Sequence, residues 1–434
     1  MFILAFNVQT LWPIALLLGI AVIIPILLDV LKLKIIPSLA IEMLVGATLA
    51  LIPATRNLFL EDEHLGALPD GIYAFGMAIL LFLSGIDTDF SVFRRSKKGE
   101  VSVFPELLFS IIVFTLVVLF SFGASFIFYD KIVGNKITGI ALLTICFSST
   151  FASLVIPLVH DNDLAKTTIG KIIATYSTMA ELVSIVGLSA IMVINHVSTN
   201  DNYWALLVIA IIFIIMFIVK RFIPIGKIFD KKLEGIVHLS TRTTMLIIVL
   251  SILLSDFAGV EYILGAFLAG MLLKALSITH HFENKLGTIG YGIFVPLFYI
   301  LAGFKVGLIM HEIGLGSFFQ FETLLLLLLV LGVIHLVKIP FFYLFRFYPA
   351  KTVLSTFVIS TSTIIVALAI EHVSSTLNVF DEKLVVILVI ASLITCILPP
   401  ILFANSSDFG EAKEKYKPFI LEKSDFENSE HEEV

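Results

Sequence analysis

Thirteen apolar runs, each long enough to cross a bilayer as a helix, occupy almost the whole chain. They fall at about 10–31, 36–54, 71–90, 104–128, 137–159, 168–194, 203–220, 240–258, 260–278, 287–310, 317–345, 350–373 and 382–404. A spanning helix needs about 20 apolar residues, and in hydrocarbon only helices and closed barrels satisfy their own backbone. Continuous runs of this length point to an all-α polytopic membrane protein. Of the 434 residues, 59% are hydrophobic and 14% charged, with a mean hydropathy of +1.06. Soluble chains carry about 45–50% apolar and roughly 25% charged residues. The composition therefore argues against nucleic-acid binding, a large soluble catalytic domain or a secreted disulfide scaffold. Cys146 and Cys396 lie inside apolar runs and have neither a disulfide framework nor metal-ligand spacing. The N-terminal segment lacks a basic region, and the run after it is too long for a signal-peptide core, so it reads as the first span.

The loops give an independent test of this count. Lysine and arginine cluster in alternate connections, which together with the tail hold 22 of the 28 basic residues, against four in the opposite loops. The positive-inside rule then places the N-terminus outside and the C-terminus in the cytoplasm. Residues 1–404 form one transmembrane domain. Residues 405–434 carry nine acids against four lysines and read as a disordered cytoplasmic tail.

Two segments recur about half a chain apart. LLFLSGIDTDF in span 3 resembles LFYILAGFKVGL in span 10, and CFSSTFASLVIPLVHD in span 5 resembles VISTSTIIVALAIEHV in span 12. By the loop count each pair runs in opposite directions, as inverted-topology repeats do around a midplane site. Spans 5 and 12 also carry hydroxyl runs at mid-depth: Ser148, Ser149 and Thr150, then Ser360, Thr361, Ser362 and Thr363. Such side chains compete with the helical backbone, so both spans are expected to be discontinuous. The bland reading is close helix packing through small residues.

Few ionisable residues lie deep. Glu181 sits near the middle of span 6, and Lys338 lies in span 11 with His335 three residues before it, on one helical face. A charge at a helix centre costs on the order of 2.5–3.5 kcal/mol, so a lone carboxylate there has to be neutralised by a proton or a cation. Lys338 offers a compensating positive charge, and the bland reading makes Glu181 and Lys338 a structural ion pair. His335 is a candidate for pH modulation or a packed histidine. Glu42, Asp87 and Glu322 lie nearer span ends and read as interfacial or packing residues.

Several segments together resemble the monovalent cation/proton antiporters of the bacterial Na⁺/H⁺ and K⁺/H⁺ exchanger type. IPSLAIEMLVGATLA (36–50), LLFLSGIDTDF, EYILGAFLAGMLL (261–273) and YGIFVPLFYILAGFKVGL (291–308) carry the resemblance, which extends to about residue 404. It implies thirteen helices, crossed broken helices at spans 5 and 12, elevator-type alternating access, and a homodimer. The dimerisation part would be approximately helices 1–3 and 8–10, and the transport core helices 4–6 and 11–13. The family's carboxylate pair falls on Ala180 and Glu181, with Lys338 as the basic residue. Ala180 replaces one acid of that pair, and TSTIIVAL stands where many relatives have an arginine-glycine-glutamate segment.

The expected function is exchange of a monovalent cation, Na⁺ ahead of K⁺, for protons, without a cofactor or enzymatic activity. Glu181 would bind the cation or the proton, helped by Ser177, Thr178, Ser149, Thr150, Thr361 and Ser362, with Lys338 as charge partner. One carboxylate favours one-for-one, electroneutral exchange. Two alternatives stay open: a symporter or uniporter of an organic anion on this fold, or a non-transporting sensor or scaffold.

Overall fold

The computed structural model describes residues 12–33, 36–60, 67–87, 104–161, 168–200, 239–257, 262–275, 286–346 and 350–404. Within them, helix falls on every expected span except the seventh, 203–220, which lies outside the described residues, as does the acidic tail. In chain order these helices are α1 (Trp12–Val30), α2 (Ser38–Leu51), α3 (Pro53–Leu60), α4 (Ala67–Asp87) and α5 (Phe104–Ser125). They continue with α6 (Lys136–Ser148), α7 (Ala152–Asp161), α8 (Thr168–Asn200), α9 (Leu239–Phe257) and α10 (Tyr262–Ala275). The last five are α11 (Val295–Ile313), α12 (Phe321–Leu336), α13 (Ala350–Ile359), α14 (Ile364–Leu377) and α15 (Glu382–Ala404). A single isolated bridge, Ile132 to Phe380, is the only extended pairing among the described residues. Among the described residues, six helical stretches are long and apolar enough to cross a membrane, including Ile169–Met192 and Leu286–Ile313.

Four spans depart from simple rods, each for a chemical reason. Span 2 stops at Leu51, and Pro53 starts α3 at 97° to it, because proline has no N–H to extend the preceding helix. Span 5 divides into α6 and α7 at residues 149–151, and span 12 into α13 and α14 at residues 360–363. Both breaks coincide with the hydroxyl runs. Span 11 loses its α-helix at Leu336 and resumes as a 3₁₀ turn, Ile339–Arg346, around Pro340. Lys338 therefore lies in an interruption, outside the helix that carries His335.

Two glycine-lined contacts hold the centre of the molecule. A Cβ on Gly46 of α2 would fall on the Ile300 carbonyl of α11, and one on Gly303 would fall on the Met43 carbonyl. In the same way, a Cβ on Gly85 of α4 would meet the Phe267 carbonyl of α10, and one on Gly270 the Phe82 carbonyl. Small residues let helix backbones approach where no hydrophobic force drives association. The swap relating span 3 to span 10 and span 5 to span 12 also relates span 2 to span 9. It carries the α2–α11 contact onto the α10–α4 contact, as a repeat predicts. Large apolar side chains point outward from α1, α5 and α12, including Val22, Ile26, Leu119, Phe120 and Leu328, as lipid-facing positions require.

The loops after spans 4 and 12 meet at one end of the bundle. Val133 and Gly134 both donate to the Val379 carbonyl, and Asp381 donates to the Lys131 carbonyl. Asn135 caps α6 through its side chain, which accepts from the amides of Ile137 and Thr138.

Candidate ion-binding site

Interrupting a helix in an apolar interior exposes amides at one end and carbonyls at the other, and each must find a partner. The two interruptions find some of theirs in each other. The Phe151 amide donates to the Ser362 carbonyl at 2.7 Å, and the Thr150 hydroxyl donates to the Ser360 carbonyl at 2.8 Å. Spans 5 and 12 thus cross at their breaks. α15 completes the second break: Ser362 Oγ donates to the Thr395 carbonyl at 2.8 Å, and Thr363 Oγ1 lies 2.9 Å from Ser392 Oγ.

Glu181 and Lys338 serve opposite ends of the first break. Glu181, buried at mid-length on α8, accepts from the Ala152 amide through Oε2 at 3.0 Å, and Ala152 is the first residue of α7. A carboxylate at a helix N-terminus is favoured both by the free amide and by the helix dipole. Lys338 is fully buried, and its Nζ donates to the Ser148 and Ser149 carbonyls at 3.0 and 2.8 Å, where α6 ends. It also donates to Thr150 Oγ1 at 3.2 Å and to the Tyr176 hydroxyl at 3.0 Å. At this break Lys338 takes the carbonyl end and Glu181 the amide end. Phe341 holds the Tyr176 ring edge-on, with centroids 4.6 Å apart.

Around Glu181 the surroundings are polar but incompletely satisfied. Ser84 of α4 donates to Oε1 at 2.8 Å. Ser177, four residues before Glu181, and Ser184, three after, lie on its side of α8. Both are buried, and neither hydroxyl has a hydrogen-bond partner among the described residues. Buried hydroxyls are ordinarily bonded, so two bare ones beside a carboxylate mark a place where a guest could find ligands. Ala180, the position of the missing acid, packs in an apolar cluster with Tyr176 and Phe341.

The remaining candidates fall into two groups. Thr178 is buried on α8, next to Ser177 in the chain. Ser149 Oγ donates to the Cys146 carbonyl and Thr361 Oγ1 to the Val358 carbonyl, so these hydroxyls finish the last turns of α6 and α13. The Thr150 and Ser362 hydroxyls tie the breaks to their neighbours, as described above. His335 uses Nδ1 on the Leu331 carbonyl at 2.8 Å and rests against Phe357, turned to its own helix. Because α12 ends at Leu336, the expected common face of His335 and Lys338 does not form. Glu42 is buried, in keeping with the packing alternative weighed for it rather than the interfacial one. Sequence reasoning missed Ser84, Tyr176 and Ser184. The spacing of Ser184 from Glu181 was legible, whereas the other two depend on helix contacts that no local pattern records.

A sequence profile described as sodium/hydrogen exchanger, transmembrane, matches residues 18–404. The chain belongs to that family. One exchanger relative, a putative Na⁺/H⁺ antiporter YjbQ of Bacillus subtilis, is 27% identical over 410 residues, covering 92% of this chain and 63% of that protein. The chain thus spans less than two thirds of that relative's length. A probable Na⁺/H⁺ antiporter 3 of Methanocaldococcus jannaschii is 24% identical over 374 residues, 84% of this chain and 89% of the relative. Among solved exchangers, the sodium proton antiporter MjNhaP1 from Methanocaldococcus jannaschii at pH 8 shares the fold. Its TM-score is 0.52 at 16% identity, over 94% of this chain and 99% of that one. The chain is therefore a multi-pass membrane protein of the sodium/hydrogen exchanger family, and these relatives are antiporters rather than enzymes.

Proposed function

We propose that this chain exchanges a monovalent cation, Na⁺ in preference to K⁺, for protons across the plasma membrane. The observation that carries the reading is Glu181, buried beside the crossed breaks and flanked by the bare hydroxyls of Ser177 and Ser184. A carboxylate at that depth is tolerated when a proton or a cation neutralises it. Proton and cation compete for the same charge, so each displaces the other, and this mutual exclusion couples their fluxes. Ser177, Ser184 and Thr178, with Ser84, replace part of the hydration shell of the cation. Lys338 holds the α6 carbonyls in place, so that the break keeps its shape whether or not Glu181 is occupied.

One carboxylate, with Ala180 uncharged beside it, makes the exchange one-for-one and electroneutral. Alternating access follows if the crossed breaks with α8 and α15 move as a body against the glycine-packed scaffold of α2, α4, α10 and α11. That scaffold would carry the dimer contact. The organic-anion reading has less support, because Lys338 already donates to four oxygens and the Ala152 amide is taken by Glu181. In proteoliposomes an imposed Na⁺ gradient should drive counter-movement of protons, and Glu181→Gln should abolish it in protein that remains folded. Retained exchange in that variant would sink the assignment.

A further inference from the structure

A cavity of about 490 Å³ opens between the scaffold and the first break. Its lining includes Ser38 and Glu42 of α2, Phe151 from the break of span 5, Ile156 of α7, Lys274 of α10, and Tyr299 of α11. Two of these side chains have no use in the site around Glu181. Glu42 is 2% exposed, and the Tyr299 hydroxyl is buried without a hydrogen-bond partner among the described residues. Both stand on the tightest helix contact in the scaffold. Gly46 lies one turn beyond Glu42 and packs on Ile300, the residue after Tyr299. The helices that present the carboxylate and the phenol are thereby held in a fixed relation.

We propose that Glu42 and Tyr299 form a second cation-binding station, which takes a partly dehydrated monovalent cation from this cavity and passes it to Glu181. The Glu42 carboxylate supplies the charge, and the Tyr299 and Ser38 hydroxyls supply neutral oxygens. The hard-oxygen set suits an alkali cation. Among the described lining residues, the other ionisable groups are Lys274 and Tyr291. Lys274 sets a positive charge on the same wall, which favours a station of moderate affinity that can release its ion onward.

The cavity lies toward the N-terminal end of α11. It is lined by the turn that leads into α11 and by Val295, Pro296 and Tyr299 in the helix's first turns. Further along α11, Lys305 pairs with Asp70 at 2.9 Å and lies over the Tyr73 ring, while the Tyr73 hydroxyl donates to buried Glu371 of α14 at 3.3 Å. That cluster joins α4, α11 and α14 at the end away from the cavity. A role in capture is therefore one-sided.

The station rests on Glu181 being the exchange group, and the test separates the two claims. Apparent KM and kcat for Na⁺-driven proton flux are measured with Na⁺ on each face in turn, in right-side-out and everted vesicles. Glu42→Gln should raise KM roughly tenfold at one face, with KM at the other face and kcat changed less than about twofold. Tyr299→Phe, which removes only the hydroxyl, should shift KM at the same face in the same direction, and Glu42→Asp should recover part of the loss. An unchanged KM at both faces, an equal change at both, or a fall in kcat alone would overturn the station. Glu181→Gln, run in parallel, should give no flux from either face. Flux retained there would overturn the exchange site itself, whatever Glu42 does.

Discussion

Glu181 and Lys338 are both buried beside the first break, and their hydrogen-bond neighbours differ. Glu181 accepts from a helix-end amide and from Ser84, and the bare hydroxyls of Ser177 and Ser184 lie on the same side of α8, which supports the proposed exchange of guests. Lys338 has four oxygens around its ammonium group, which is an arrangement built to stay. Their variants should differ accordingly. Ser177→Ala and Ser184→Ala each remove a proposed cation ligand without stranding a partner. Each should raise the apparent KM for Na⁺ several-fold, to roughly tenfold, and leave the melting temperature in detergent nearly unchanged. Lys338→Ala strips the α6 carbonyls of their donor, at about 1–3 kcal/mol for each buried acceptor left bare. The melting temperature should fall markedly while the folded fraction keeps partial exchange. A variant as stable as the parent would show that the lysine is not structural.

At the level of helices, the sequence revealed the type and depth of elements better than their contacts. The hydroxyl runs announced both breaks because serine and threonine compete with the helical backbone at the site itself, a local effect. The interruption of span 11 at Lys338 went unseen, although Pro340 two residues later was a local signal for it. The stop at Pro53 was equally legible and falls at the expected end of span 2, whereas the short helix α3 after it has no counterpart among the expected spans. The crossing bonds Phe151 to Ser362 and Thr150 to Ser360, and the roles of Ser84 and Tyr176, are long-range pairings. A sequence can suggest such contacts only through a resemblance. Two substitutions probe this level. Thr150→Val deletes the hydroxyl that joins the breaks and also contacts Lys338, so it should lower both the exchange rate and the melting temperature. Gly303→Val places a side chain on the Met43 carbonyl and should prevent α2 and α11 from docking, which would show as lost folded protein in size-exclusion chromatography. A folded, active Gly303→Val protein would contradict the packing described here.

Over the described part of the molecule, the fold is that shared with the solved antiporter MjNhaP1, and Glu181 and Lys338 bond the two helix ends at the first break. The paired glycine contacts, α2 with α11 and α4 with α10, give it a scaffold with approximate internal symmetry. The crossed breaks place irregular backbone beside Glu181 in the described core. Relatives that carry two adjacent acids could move two protons, whereas Ala180 leaves one carboxylate at this position. Charge movement therefore reports directly on how many carboxylates take part. The decisive measurement imposes a membrane potential across proteoliposomes with no pH gradient and follows Na⁺ uptake. The account predicts no potential-driven accumulation, because one cation exchanges for one proton at Glu181. Accumulation driven by the potential alone would contradict it.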